Sequence, residues 1–316
     1  MHLKIYIWGT GAAFGRELGL ESYKNRRQRN HTAISIISKG CHFLIDAGAT
    51  CVEKMVENKI PLPDVLFITH PHYDHISDLD KLSYSRKRGY VYTRNHGNNK
   101  NIDNSYTPLP VIGSDKCLNH PEFGLIKKCG FLKYLNWFEI PGFDEWYSVN
   151  KKGTNLFVQS NNIDEKIDTV YPIEFKALPV NHSPHGPGAC LFIFRLHDSL
   201  EKKIVISGDF ETITNAVAGN PDLIDPSCLF LETNTLFATG TNHTNWQQNM
   251  RLINRWISGK KTSQVVLYHL SGYEDWEQGF LDDIPDDNKW KEIVGEFTPP
   301  DNTTITIAED GDCFYL

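Results

Sequence analysis

Short apolar runs bounded by polar or glycine-containing segments recur along the chain, and most of them have the length of β-strands. In the N-terminal part they predict strands at residues 3–8, 32–37, 42–45 and 65–69, with a helix at 51–59. In the C-terminal half they predict strands at 173–178, 190–196, 204–207, 228–231, 265–268 and 303–308, with an amphipathic helix at 246–257. Strands interleaved with helices predict an α/β fold in which helices cover a sheet.

Residues 83–168 differ from the rest of the chain. They are rich in Asn, Gly, Tyr and Lys, and they contain a strand-like run at 109–112 but no long hydrophobic periodicity. A structureless loop of this length would be unusual inside a compact domain. We therefore predict an insertion or elaborated subdomain at 83–168, within a single domain that spans residues 1–316.

The composition is typical of a globular protein in water, with 40% hydrophobic and 22% charged residues among 316. The formal net charge of −7 disfavours broad nucleic-acid binding, which depends on basic patches. A small phosphate substrate stays open, because bound metal ions would add local positive charge. Seven cysteines without a Cys-x-x-Cys pair, no apparent secretory leader and no long apolar run predict a cytoplasmic protein with free thiols.

Four side chains of metal-ligand type follow the apolar run at 65–69 within six positions: His70, His72, Asp74 and His75. On an extended segment, alternate histidines point to the same side, and the next turn brings the carboxylate and the third imidazole nearby. Such ligands suit zinc, and also manganese or iron. A polar loop with unrelated histidines is the alternative, but this density of ligands favours a metal site.

The His-x-His-x-Asp-His pattern after a buried strand resembles the signature of metallo-β-lactamase-fold hydrolases. Three later apolar strands are also followed by a ligand-type residue, namely His182 in VNHS, Asp209 in ISGD and His269 in VLYHLS. The resemblance implies a four-layer αβ/βα sandwich, with an insertion between the first motif and His182, and two divalent metal ions. It assigns His70, His72 and His182 to one metal, Asp74, His75 and His269 to the other, and Asp209 to both. His185 competes with His182 for its place.

Further motifs resemble the ribonuclease Z and cyclic-nucleotide phosphodiesterase branch of that superfamily. They are GTGAA at 9–13, RNHT at 29–32, LIDAG at 44–48, FLETNT at 230–235 and NHTNWQQ at 242–248. The resemblance implies that Glu232 and His243 pair beside the metals. We assign catalytic roles to His243, Glu232 and Asp74, with His243 protonating the leaving group while a metal-activated hydroxide attacks phosphorus.

Two departures from that branch disfavour tRNA processing. The stretch between His182 and Asp209 is nearly filled by two predicted strands, so the RNA-gripping arm of tRNA-processing members does not fit there. The last motif, HLSGYE at 269–274, lacks an arginine that the branch often carries. We therefore expect a phosphodiesterase acting on a small nucleotide, with a cyclic nucleotide favoured, in a homodimer without membrane association. The alternatives are an RNA or DNA nuclease of the ribonuclease Z type, a thioesterase or lactonase, and a non-enzymatic binding protein.

Three weaker features stay open at this point. Basic clusters at 26–29 and 86–88 are candidates for phosphate binding or for solvated surface. Cys117, His120 and Cys129 are a loose candidate for a structural zinc site. The glycine-rich turn at 9–15 fits a tight turn near the metals better than a dinucleotide site, because a polar segment and no apolar helix follows it.

Overall fold

Two β-sheets pack face to face in the computed structural model of this chain, which describes residues 3–12, 29–96, 108–151, 156–159, 169–237, 242–270 and 287–316. Aromatic rings from both sheets fill the space between them. The Phe67 ring of one sheet, for example, lies 5.0 Å from the Phe175 ring of the other, centroid to centroid. Aliphatic side chains from both sheets complete this central core.

The first sheet has the strand order β15-β1-β2-β3-β4-β5-β6 among the described residues. Its strands are β1 (Lys4–Gly9), β2 (Ala33–Ser38), β3 (Cys41–Ile45), β4 (Val65–Phe67), β5 (Leu109–Gly113), β6 (Leu135–Glu139) and β15 (Cys313–Tyr315). Strands β3 to β6 run parallel, whereas β15, β1, β2 and β3 pair in antiparallel fashion.

The second sheet has the order β14-β13-β12-β11-β10-β9-β7-β8. Its strands are β7 (Tyr147–Asn150), β8 (Phe157–Gln159), β9 (Val170–Pro179), β10 (Cys190–Leu196), β11 (Ser199–Ile206), β12 (Cys228–Glu232), β13 (Ser263–Tyr268) and β14 (Thr303–Ile307). Strands β11 to β14 are parallel, and β9 runs in the same direction because β10 is antiparallel to both β9 and β11. The carboxyl ends of β9, β11, β12 and β13 therefore lie at one edge of this sheet.

Helices cover the outer faces of both sheets. They are α1 (Cys51–Glu57), α2 (Tyr73–Ile76), α3 (Leu79–His96), α4 (Asp115–Asn119), α5 (Leu125–Cys129), α6 (Asn215–Ala218), α7 (Trp246–Trp256) and α8 (Asp287–Gly295). Helix α7 shows how the sequence sets a boundary, because Asn245 and Gln248 form a reciprocal capping box at its start. Its Trp246, Ile253 and Trp256 side chains pack on the outer face of the second sheet.

The layers confirm the predicted αβ/βα sandwich. Side chains of α1, α3, α4 and α5 pack on the outer face of the first sheet, and those of α7 and α8 pack on the outer face of the second. With the central core between the sheets, this gives helix, sheet, sheet and helix in order.

The strand predicted at 303–308 is not the last one, because the three-residue strand β15 follows it and pairs with β1. In the described part of segment 83–168, β5 and β6 extend the first sheet, whereas β7 and β8 extend the second. The designation of this segment as an insertion stays a prediction.

Candidate metal centre

The predicted histidine motif follows β4, and hydrogen bonds to Asp46, which follows β3, hold it in position. The backbone N–H of Thr69 donates to Asp46 Oδ1 and its hydroxyl donates to Asp46 Oδ2, both at 2.8 Å. On the same carboxylate, Oδ2 accepts from His75 Nδ1 at 2.7 Å. Asp46 has a positive φ of 58°, an uncommon conformation for a non-glycine residue. One buried carboxylate therefore holds both ends of the motif.

The first group of converging donor atoms belongs to His70, His72, His182 and Asp209, whose ligand atoms lie within 4.8 Å of one another. His182 Nε2 lies 3.2 Å from His72 Nδ1, and His70 Nε2 lies 3.6 Å from Asp209 Oδ2. His182 follows β9, and Asp209 follows β11. We refer to these four residues as the first half of the centre.

Hydrogen bonds on the outer side of two rings fix their tautomers. His182 Nδ1 lies 2.7 Å from the carbonyl oxygen of Asn242, which can only accept, so Nδ1 carries the proton. The Thr69 hydroxyl gives its one hydrogen to Asp46, so it accepts from His70 Nδ1 at 3.1 Å. In both rings Nε2 is therefore unprotonated, and its lone pair is directed at the centre, as a metal ligand requires.

The second group comprises Asp74, His75, His269 and the same Asp209, and all four residues are buried. His269 Nε2 lies 3.1 Å from both Asp74 Oδ2 and Asp209 Oδ2, and 3.3 Å from His75 Nε2. His269 follows β13 and has a positive φ of 60°. We refer to these residues as the second half of the centre, which shares Asp209 with the first.

The two halves differ in the charge that they favour. Burial lowers the pKa of His182 to about 3 and that of His72 to about 4, so these imidazoles are neutral. In the second half burial also disfavours charge, but the Asp209, Asp46 and Asp74 carboxylates raise the pKa of His75 well above its usual range. The second half therefore favours a positive charge, which either a proton or a metal ion can supply.

Buried polar atoms without hydrogen-bond partners also indicate that the two halves of the centre are suited to a metal ion. Neither oxygen of Asp209 accepts a well-formed hydrogen bond from the described part of the chain, and His70 Nε2 has no such partner there either. Buried polar atoms without partners are costly and rare. Imidazole nitrogens and carboxylate oxygens are suitable ligands for zinc, manganese or iron. These groups can therefore hold a divalent metal.

Glu232 and His243 lie beside both halves. Both oxygens of the fully buried Glu232 are engaged, with Oε1 hydrogen-bonded to His243 Nδ1 and Oε2 accepting from the backbone N–H of Phe210 at 2.7 Å. The His243 ring stacks on His269, with centroids 5.3 Å apart, and contacts His182 edge-on at 4.9 Å. The structure thus brings this predicted pair to the junction of the two halves, where both residues also lie near Asp209.

Two glycines allow the backbone to approach the centre closely. Gly208, with φ +58°, precedes Asp209, and a Cβ there would lie 2.8 Å from Thr69 Cβ. Gly186 lies across the rings of the first half. A Cβ on Gly186 would lie 2.7 Å from His182 Cδ2 and 3.1 Å from both His70 Cδ2 and His72 Nε2. Neither Asp46 nor Gly186 has a role that follows from the sequence alone; the signals for Asp46 are its place in the LIDAG motif and its position after an apolar strand.

The other candidate residues lie elsewhere. His185 is exposed and its ring meets Phe123 edge-on, so the structure places His182, not His185, among the converging donors. Within the described residues, Cys117, His120 and Cys129 do not form a metal-type group. The described part of the glycine-rich turn, residues 9–12, packs beside the centre through the hydrogen bond from the Leu270 N–H to the Thr10 carbonyl.

The basic clusters are only partly described. Arg29 is buried and donates to Thr10 Oγ1 and to the Ala308 carbonyl, so its role is structural. Arg86 donates to the Pro63 carbonyl. Arg26, Arg27, the Arg88 side chain and the motif residues 271–274 lie outside the description. Within the ranges that are described, no helix has the length and apolarity needed to cross a bilayer.

Comparison with known proteins gives a partial family match and many similar structures. The family model described as Anti-Pycsar protein Apyc1 matches residues 3–96, which include the histidine motif. No curated protein matches the chain in sequence.

Among solved structures, a diphosphatase from the PhnP family is similar with a TM-score of 0.67 at 16% identity, covering 100% of this chain and 98% of that one. Yeast PDE1 is similar at 0.57 and 14% identity, covering 99% of each chain. The short form of human tRNase Z is similar at 0.56 and 15% identity, covering 98% of each chain. YhfI of Bacillus subtilis, a metallo-β-lactamase fold protein, is similar at 0.63 and 16% identity, covering 99% of each chain. The sandwich and these similarities show that the chain has the metallo-β-lactamase fold.

Proposed function

We propose that this protein is a metal-dependent phosphodiesterase that hydrolyses a small phosphodiester, with a cyclic nucleotide as the favoured substrate. The observation that carries the proposal is the arrangement of two donor groups around a shared Asp209, with the Glu232–His243 pair beside both. Hydrolysis of a phosphodiester requires charge neutralisation at phosphorus, an activated water and a proton for the leaving oxygen. Metal ions bound by the two donor groups would meet the first two requirements, and the Glu232–His243 pair would meet the third.

The two halves would hold one divalent cation each, zinc in the first instance, with Asp209 between them. Bound there, the two cations would lower the pKa of an attacking water and neutralise charge on the phosphate. Asp46, Thr69 and the Asn242 carbonyl keep the ring nitrogens directed inward before any metal arrives, which preorganises the ligand set. Asp74 stands in the second half, where its carboxylate faces His269.

His243 is our candidate for the acid that protonates the leaving oxygen. Burial disfavours its charged form, but the Glu232 carboxylate and its hydrogen bond raise the pKa of His243 to about 9. Because Nδ1 is committed to Glu232, Nε2 is the atom that would deliver the proton. Glu232 acts as a positioning residue, and it is itself anchored by the Phe210 backbone N–H.

The connection between His182 and Asp209 supports a small substrate over a polynucleotide. Strands β10 and β11 occupy most of it, with a two-residue turn between them, so no arm projects from this position. The net charge of −7 also disfavours a polyanion. A nuclease of the ribonuclease Z type stays the second candidate, since one of the similar structures is the short form of human tRNase Z.

The direct test is hydrolysis by metal-loaded protein of bis-p-nitrophenyl phosphate and a panel of 3′,5′-cyclic nucleotides, with chelator-treated protein as the control. We expect metal-dependent release of linear nucleotide. Cleavage of RNA alone, with binding that weakens steeply as salt rises, would favour the nuclease. Inactivity on every phosphodiester by protein with full metal content would overturn the proposal and favour a thioesterase or lactonase.

A further inference from the structure

A cavity of about 820 Å³ opens directly beside the first half of the metal centre. His182 of the first half lines this cavity, and so does Gly186, which lies across the rings of that half. The remaining wall comes from α4, from the segment at 179–189 and from the loop that carries Phe143. Its volume lies within the range of about 300–1,000 Å³ that is typical of small-molecule sites. A substrate whose phosphate occupied the centre would therefore have room for its remaining atoms here.

The walls of this cavity are held in place without a ligand. The Ser114 hydroxyl donates to the Gly188 carbonyl at 2.6 Å and accepts from the Cys117 backbone N–H at 3.2 Å, which joins α4 to the segment at 179–189. That segment also contains three prolines, which restrict its backbone. A site that is preformed in this way loses little entropy on binding.

Phe143 lines the cavity, and the contacts of the adjacent residue Asp144 fix the position of its loop. Asp144 Oδ1 accepts from Lys176 Nζ at 2.9 Å and from Asn220 Nδ2 at 2.7 Å, and the Asp144 backbone N–H donates to the Ala177 carbonyl. Phe143 nevertheless stays 41% exposed. An anchored loop that leaves an aromatic ring open to a cavity offers a stacking surface.

The polar groups of the cavity suit a planar heterocycle with hydrogen-bonding edges. Asn119, Asn181 and Ser183 line the cavity with amide and hydroxyl groups. Asn119 Nδ2 already donates to Asp115 and Glu139, and Asn181 Nδ2 donates to Thr212. The amide oxygens, the second N–H of Asn181 and the Ser183 hydroxyl are therefore the groups offered to a ligand. Asp115 contributes a carboxylate to the lining and Lys116 contributes an ammonium group, so their charges balance. The cavity therefore lacks the row of basic side chains that would bind the phosphates of a polynucleotide.

We infer that this cavity binds the nucleoside part of the substrate, with the nucleobase stacked on Phe143 and the phosphodiester directed past His182 into the metal centre. The inference rests on the proposed phosphodiesterase function and adds to it the recognition of a base. Aromatic stacking on a base contributes about 1–3 kcal/mol by alanine substitution, which corresponds to about 5- to 150-fold in affinity.

The test compares Phe143→Ala, Phe143→Tyr and Phe131→Ala with the unmodified protein. Phe131 is a matched control, because it is 74% exposed and lies at a different cavity, between α1 and α3. Steady-state kinetics use metal-loaded protein with 3′,5′-cyclic AMP and 3′,5′-cyclic CMP as purine and pyrimidine probes. Metal content and melting temperature show that each variant is folded.

We expect Phe143→Ala to raise KM about tenfold for the better probe, with a much smaller change in kcat. Phe143→Tyr should restore the KM, because its ring still stacks, and Phe131→Ala should match the unmodified protein. Equal KM values for Phe143→Ala and Phe131→Ala would overturn the inference and leave the proposed function intact. Hydrolysis of bis-p-nitrophenyl phosphate without hydrolysis of either nucleotide would do the same, whereas inactivity on all three would overturn both.

Discussion

The two halves of the metal centre share Asp209 but are supported in different ways. The second half is wholly buried, has two carboxylates among its four donors, and is fixed through His75 by the buried Asp46. The first half has three neutral imidazoles and one carboxylate, its His72 and His182 are partly exposed, and His182 is held by a backbone carbonyl. Charge and preorganisation both favour the second half as the tighter metal site.

Because of this difference, we expect the two halves to have different roles in substrate access and in metal retention. The cavity beside His182 opens on the first half, so substrate would enter from the side that is less buried. We expect the second half, in which His75 is hydrogen-bonded to Asp46 and His269 Nδ1 lies 3.7 Å from Glu232 Oε1, to keep its ion through the reaction cycle. Four substitutions test this asymmetry between the halves.

Asp209→Ala removes the one carboxylate common to both halves. We expect metal binding to weaken in both, and activity to fall to the level of metal-free protein, because no other described residue belongs to both of these donor groups. Metal content by mass spectrometry, together with hydrolysis rates, checks this. Full metal content at the unmodified rate would refute the shared position of Asp209.

His243→Ala removes the proposed acid without touching the seven predicted ligands. We expect kcat to fall by about 10²–10⁴-fold with metal content unchanged, since this range is typical of a general acid. His185→Ala is the matched control, because His185 is exposed and lies outside the donor groups. Loss of metal from His243→Ala would instead make His243 a ligand, as its place near Asp209, Glu232 and His269 also allows.

Asp46→Asn weakens the support of His75 and keeps the shape of the side chain. We expect metal affinity in the second half to fall by about 10–100-fold, the usual effect of losing a partner behind a ligand, with a smaller effect in the first half through Thr69. Asp64→Asn is the control, because Asp64 accepts the His42 backbone N–H away from the centre. An equal loss in both halves would contradict the asymmetry.

Gly186→Ala tests the first half alone. Its methyl group would press on His182, His70 and His72, and strain of this kind costs about 1–3 kcal/mol, so we expect about tenfold weaker binding in the first half. Gly295→Ala is the control, because a Cβ there meets no atom within 4 Å. Competitive chelator titrations of both variants measure the effect, and weakening confined to the second half would contradict it.

The candidate ligands could be predicted from the sequence because four of them follow an apolar strand and the other three lie in the same motif as His70. The signal is local at His70, His182, Asp209 and His269, where a run of core residues ends in a side chain that binds metals. The parallel strands then bring these ends to one edge of the sandwich, which a layered α/β fold makes predictable.

The remaining features depend on contacts that sequence spacing does not encode. Gly186 is constrained by three imidazole rings that follow strands of two different sheets. The bond from His182 to Asn242 uses a backbone carbonyl, so no residue type in the sequence indicates it. Strand β15 is too short for a periodic pattern and pairs with a strand about 300 residues away in the sequence. Helix α3 was not predicted because its sequence is largely polar and its described buried apolar positions, Leu79 and Leu82, lie at one end.

Titration of metal-free protein with zinc tests the two-half account most directly. We expect two binding steps of unequal affinity, with the weaker step lost in His182→Ala and the tighter step lost in His269→Ala. A single step with one ion per chain, or two steps that both survive the loss of His182, would contradict it.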